Sequence, residues 1–141
     1  MPSNELAGKW TYRSFFNDPA MVGDDKQKAL DLIFAEATFT FQISGTELTG
    51  IIDWGSGGLD LKGTVSTADP VTVQIIGMGR PGTDTEGWRY DYNGALAYEW
   101  PNAVKQVPAV VGTVIRVNAH GKGAPAGVTA SFIAVKRKTA K

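Results

Sequence analysis

The sequence predicts an all-β protein, an eight-stranded antiparallel up-and-down barrel with a short helix in a long first loop. Three observations predict it. Runs of apolar, β-branched and aromatic residues recur eight times at roughly ten-residue spacing, most of them alternating with polar residues. Glycine, proline and aspartate clusters separate the runs, which is the turn chemistry that short hairpins need. One stretch alone, residues 16–37, leaves the strand pattern for a helical one. Eight strands joined mainly by short hairpins close most economically into a barrel, because closure removes both sheet edges.

Over residues 7–15, Trp10, Tyr12 and Ser14 alternate with Lys9, Thr11 and Arg13, as in a half-buried strand. In the stretch that follows, Asn17-Asp18-Pro19 is a turn, and Asp24-Asp25 caps a short helix over Lys26–Phe34. Its Ala29, Leu30, Ile33 and Phe34 share one helical face. A loop of this length is a lid or a binding loop, or else its helix plugs one end of the barrel. Thr38–Ser44, Leu48–Trp54, Leu59–Ser66 and Val71–Gly79 are the next strands, and Phe39, Phe41 and Ile43 share a face of the first. Their turns are Gly45-Thr46-Glu47, Gly55-Ser56-Gly57-Gly58 and Ala68-Asp69-Pro70. After Arg80-Pro81-Gly82-Thr83-Asp84 comes a long strand, Trp88–Trp100, with Trp88, Tyr90, Tyr92, Leu96 and Tyr98 on one face. Pro101–Pro108 leads to Val110–Ala119, and His120–Ala126 leads to the closing strand, Gly127–Arg137. A basic tail ends the chain, with Lys136-Arg137-Lys138 and Lys141.

The 141 residues make one domain, 1–141, long enough to bury a core without staples. Lysine plus arginine and aspartate plus glutamate both number 14, so the net charge is zero. Nucleic acid or an anionic membrane would need a positive field that this balance does not supply. Cysteine is absent, which excludes disulfides and thiolate metal sites. Met1-Pro2-Ser3-Asn4-Glu5 lacks the basic and apolar regions of a secretory signal, and no run approaches the ~20 apolar residues of a membrane span. The expectation is a soluble, cytoplasmic protein without a cofactor, whose partner is a small-molecule ligand or substrate. Neither nucleic acid nor membrane is expected, and self-association as a homo-oligomer stays open.

An eight-stranded interior is either filled by side chains or holds one small ligand. Gly50, Gly63, Gly77, Gly79, Gly94 and Gly112 fall inside strands and leave no side chain to pack. They are bends that let a small barrel coil, or they leave room inside. Beside so many large aromatics, room is the favoured reading and a pocket is expected.

Gly8-Lys9-Trp10-Thr11 is similar to the opening of avidins and lipocalins, the calycins, and Leu48-Thr49-Gly50 resembles the avidin third strand. The resemblance implies a lipocalin-like barrel whose floor is closed by Trp10. It also implies that a cation of the last strand, Arg137 or Lys136, lies across the indole. Such a contact gains ~0.5–2 kcal/mol and ties the two ends of the chain together. Biotin binding does not carry over. Tyr12 and Phe16 stand where avidins place an asparagine and a serine, and Asn118–Gly123 stands where they place a tryptophan. The long first loop resembles that of lipocalins in placement, and no subfamily is assigned.

His120, the single histidine, lies in a glycine-rich turn with no carboxylate spaced beside it. It is read as a solvated loop residue rather than a haem or metal ligand, and nothing places it beside a nucleophile. Acid–base chemistry has better candidates in Tyr90, Tyr92, Glu99 and Arg116. With the aromatic face inward, Tyr12, Ser14, Trp54, Trp88, Tyr90, Tyr92 and Tyr98 become the ligand-binding set. These are mostly rings whose polar tips need partners. Each ring taken singly is equally a core residue. Arg116, flanked by Val114, Ile115 and Val117, points outward by default. Turned inward, it would hold a carboxylate ligand or pair with Glu99.

The expected function is to bind a small, largely apolar or aromatic molecule inside the barrel. The alternative is a cofactor-independent isomerase, cyclase or lyase acting on such a molecule in the same pocket. A third reading, a partner-binding barrel, requires a filled interior and an exposed apolar patch. A cavity of ~300 Å³ or more separates the first two from the third.

Overall fold

The structure, a computed structural model, describes residues 6–138. The start of the chain, Met1–Glu5, and Lys141 of the basic tail lie outside the described residues. Eight strands form one closed antiparallel barrel: β1 (Gly8–Phe15), β2 (Ile33–Ser44), β3 (Glu47–Asp53), β4 (Gly58–Val65), β5 (Thr72–Gly79), β6 (Arg89–Leu96), β7 (Ala109–Arg116) and β8 (Thr129–Lys136). Each pairs with its neighbour in sequence. The ring closes where β8 returns to β1, from Trp10 opposite Lys136 to Phe15 opposite Ser131. A short helix, α1 (Lys26–Leu30), lies in the long β1–β2 connection. No helix among the described residues is long and apolar enough to cross a membrane.

Period-two patterning sets which face is buried. Trp10, Tyr12 and Ser14 of β1 point inward, as do Phe39 and Phe41, Ile75, Tyr90 and Tyr92, Val114 and Arg116, and Phe132. The two ends of the barrel differ. At the end where β1 begins, Leu6, Trp10, Phe41, Leu48, Val73 and Val110 are almost fully buried and fill the interior. The Trp10 indole donates to the Leu6 carbonyl at 2.8 Å, and the Lys136 ammonium lies 5.9 Å from its ring centre. Arg137, the other cation considered for that place, faces outward instead. It bonds the Thr11 and Thr38 hydroxyls at 3.1 and 2.8 Å. The opposite end carries the β1–β2, β3–β4, β5–β6 and β7–β8 connections, and it is the open end.

Several boundaries depart from the sequence reading. The helix stops at Leu30, and Ile33 and Phe34 belong to β2. Beyond a bulge at Ser14/Phe15 the pairing runs to Phe15 opposite Ile33, so β2 covers the full length of β1. Strand pairing wins over the helical pattern because an uncovered upper half of β1 would leave backbone groups unpaired. The α1 helix buries none of its residues, so it is not a plug. Its N-cap is Asp25, whose carboxylate accepts from the Gln27 and Lys28 amides. The strand expected to reach Trp100 ends at Leu96, because β5 begins only at Thr72, opposite Ala95. Beyond that point the chain has no partner on that side, and Pro101 offers no donor.

The strand glycines also need correcting. A side chain at Gly50, Gly63, Gly79 or Gly112 would strike the carbonyl of Thr40, Gln74, Thr85 or Asn93 in the neighbouring segment. These four permit close backbone approach and coiling; they do not leave room. The space beside Gly94 is taken by Phe132 and Val110, and that beside Gly77 by Leu59, Leu61 and Tyr92.

Candidate functional site

What room exists lies at the open end, where a cavity of about 350 Å³ sits above the filled floor. Each wall comes from the upper part of a strand. Tyr12 rises from β1, with Phe34, Ala35 and Ala37 from the start of β2. Ile52 closes β3, with Trp54 just beyond it, and Leu59 opens β4. Trp88 stands just before β6, Tyr90 and Tyr92 lie in its first half, and Arg116 ends β7. A larger open hollow of about 750 Å³ follows the outer face of β3–β7, among Thr49, Lys62, Gln74, Asp91 and Asn93. Those side chains point to solvent and do not converge.

The cavity mouth is built by loops pinned from below. Thr85 is buried, donates to the Gly58 carbonyl at 2.9 Å and accepts the Arg80 amide at 3.1 Å, which fixes the β5–β6 loop over the start of β4. That loop delivers Trp88, which stacks on Trp54 at 5.9 Å and on the His120 imidazole at 3.6 Å. The β7–β8 loop is tied down by Asn118, whose amide donates to the Gly87 carbonyl at 3.1 Å.

Three polar side chains meet at this mouth. Tyr90 pairs across the sheet with Arg116, so their side chains rise together. The Arg116 Nε donates to the Tyr90 hydroxyl at 2.8 Å, and the same hydroxyl lies 2.7 Å from the His120 Nε2. Arg116 is 8% exposed. Its Nη1 donates to the Pro125 carbonyl at 3.2 Å, and its guanidinium lies over Phe34 and Tyr90, 5.3 and 5.6 Å from the ring centres. Burial, and after it the positive charge of Arg116, lowers the His120 pKa below its ordinary 6.5. A neutral imidazole with its proton on Nδ1 offers Nε2 as acceptor, and the Tyr90 hydroxyl can then donate to it. Deeper in the cavity, burial raises the Tyr12 and Tyr92 hydroxyls above the ordinary tyrosine value, so both stay protonated.

Of the ligand-binding set read from sequence, Tyr12, Trp54, Trp88, Tyr90 and Tyr92 stand around this one cavity. Two do not. Ser14 faces inward and is fully buried but lies outside the lining, and its Oγ has no hydrogen-bond partner of good geometry. Tyr98 is 64% exposed and packs on Trp100 beyond the end of β6. Glu99 is exposed in the same connection, at the closed end, so it cannot pair with Arg116 at the other.

The structure takes Arg116 to the inward of its two alternatives, against the outward default, and it shares the parity of Val110 and Val114. That parity was a signal present in the sequence. His120 was read as solvated. Nothing in its neighbourhood of sequence shows Trp88 and Tyr90 beneath it, since those contacts span about thirty residues. In comparisons with family models, curated proteins and solved structures, no significant match to this chain was found.

Proposed function

We propose that the barrel binds one small, largely apolar or aromatic molecule in the cavity at its open end, as a calycin-like binding protein. The observation that carries the reading is the cavity itself. About 350 Å³ of space remains in an otherwise filled barrel, and five aromatic rings of the expected set border it. Its walls supply stacking faces, and its few polar tips are grouped at one side. Quenching of Trp54 and Trp88 fluorescence across a set of small apolar compounds tests this. At least one compound should quench saturably with one-to-one stoichiometry, and Ala37→Trp, which fills the cavity, should abolish the effect. Quenching that survives Ala37→Trp would place binding elsewhere on the molecule.

A second reading is favoured by one observation, the 2.7 Å contact between the Tyr90 hydroxyl and the His120 Nε2. In an isomerase, cyclase or lyase without cofactor, Tyr90 would lend its proton to a reacting atom and take it back as the product forms, with the His120 Nε2 orienting the phenol between turnovers. Tyr90→Phe would then remove turnover while leaving ligand affinity nearly unchanged.

A further inference from the structure

We infer that Arg116 and Tyr90 anchor the carboxylate of a small aromatic or aliphatic monocarboxylic acid. The inference rests on the reading that the cavity takes a small apolar molecule, and it names the head group of that molecule.

The argument begins with a charge that has no counter-charge. Among the described residues the ion pairs are Arg13–Glu36, Arg80–Asp60 and Arg89–Asp91, all at least partly exposed. Arg116 is more deeply buried than any of these arginines, yet its partners are a hydroxyl, a carbonyl and two ring faces. A guanidinium withdrawn from water without an anion is an unfavourable arrangement that an incoming anion relieves. The acidic residue that borders the cavity, Glu36, is engaged outward by Arg13 at 3.1 Å. Among the described residues no acid is therefore placed to do what a ligand could.

The geometry narrows the class. Arg116 uses Nε and one Nη1 hydrogen on Tyr90 and Pro125, and it keeps further N–H groups at the cavity wall. The planar fork of a guanidinium matches the two oxygens of a carboxylate. Arg116 is the only cation among the lining residues, which suits a singly charged head group better than a phosphate monoester. Tyr90 also borders the cavity, so its hydroxyl can turn from His120 to a ligand oxygen. Below these polar groups the lining is Tyr12, Ile52, Leu59 and Tyr92, a wall for an apolar body.

Matched pairs of acid and primary amide test the inference: 2-naphthoate with 2-naphthamide, 4-phenylbutyrate with 4-phenylbutyramide, and octanoate with octanamide. Calorimetry near neutral pH should show at least one acid binding one-to-one and about tenfold or more tighter than its amide. In Arg116→Met the acid should fall to the level of the amide, while the amide stays within about twofold of its wild-type affinity. Tyr90→Phe keeps the cation and should reduce the acid preference by about threefold or more, which decides the matter if Arg116→Met does not fold. Equal binding of acid and amide by the wild-type protein would overturn the anchor and leave the pocket standing. Binding of no member of any pair would overturn the pocket, and the anchor with it.

Discussion

His120 owes its role to residues far away in the chain. Its ring lies flat on Trp88, its Nε2 meets the Tyr90 hydroxyl, and the charge of Arg116 stands behind that hydroxyl. The groups that face it are thus an indole, a phenol and a guanidinium, and burial among them, followed by the guanidinium charge, disfavours an imidazolium. An unfolded chain takes up the histidine proton near 6.5, whereas the folded chain resists until lower pH. Between those values the unfolded state binds more protons, so stability falls as pH drops through 6.5 and recovers as it rises. Thermal melts from about pH 7.5 to 5.5 should show this loss. His120→Asn should flatten that part of the profile, and an unchanged slope in the variant would assign the loss to other groups.

The β1–β2 connection is held mainly at its base. Its base is closed by the Phe16 amide on the Leu32 carbonyl at 2.8 Å, and Phe16 packs edge-on against Phe34 at 5.1 Å. Between these points Met21 is 91% exposed and Leu30 57% exposed, beside the open end of the barrel. A helix as short as α1 gains little from its own hydrogen bonds, so its order depends on contacts, and here it buries nothing. Loose attachment beside an open end is what a lid would need. The amides over residues 18–31 should exchange hydrogen rapidly in the free protein and slow when a cavity-filling probe is added. Slow exchange without any probe would show instead that the segment is held shut.

At the scale of the whole molecule, closure depends on how near adjacent strands can come as the sheet coils. Gly112 faces the Asn93 carbonyl and Gly94 across the β6–β7 pair, at a distance no side chain allows. Gly112→Ala should cost ~1–3 kcal/mol, the penalty of forcing atoms into a packed site. Urea melts check this against Gly123→Ala, where a side chain meets nothing within 4 Å and the change should stay within ~0.5 kcal/mol. Equal behaviour of the two variants would mean that the barrel tolerates a wider β6–β7 spacing.

The fold was readable because it rests on local rules. Alternation in β1 puts Trp10, Tyr12 and Ser14 on one face, and turn residues at Gly45-Thr46 and around Gly55 count the hairpins. The same parity groups Tyr90 with Tyr92 on one face of β6 and Arg116 with Val110 and Val114 on one face of β7, and burial shows both faces to be the inner ones. Where strand length depended on a partner, the local pattern misled. Phe34 reads as helix until β1 claims it, and Tyr98 reads as wall until β5 runs out. The glycines misled for a related reason, since periodicity does not report how closely the next strand approaches. The meeting of Tyr90, Arg116 and His120 was decided by the tertiary structure alone. Hairpin register joins the first two, but His120 arrives on a loop whose path is set by Asn118, Trp88 and the curvature of the closed barrel. Alternation fixes the side of a sheet on which a residue lies, whereas closure of the ring determines which sides meet.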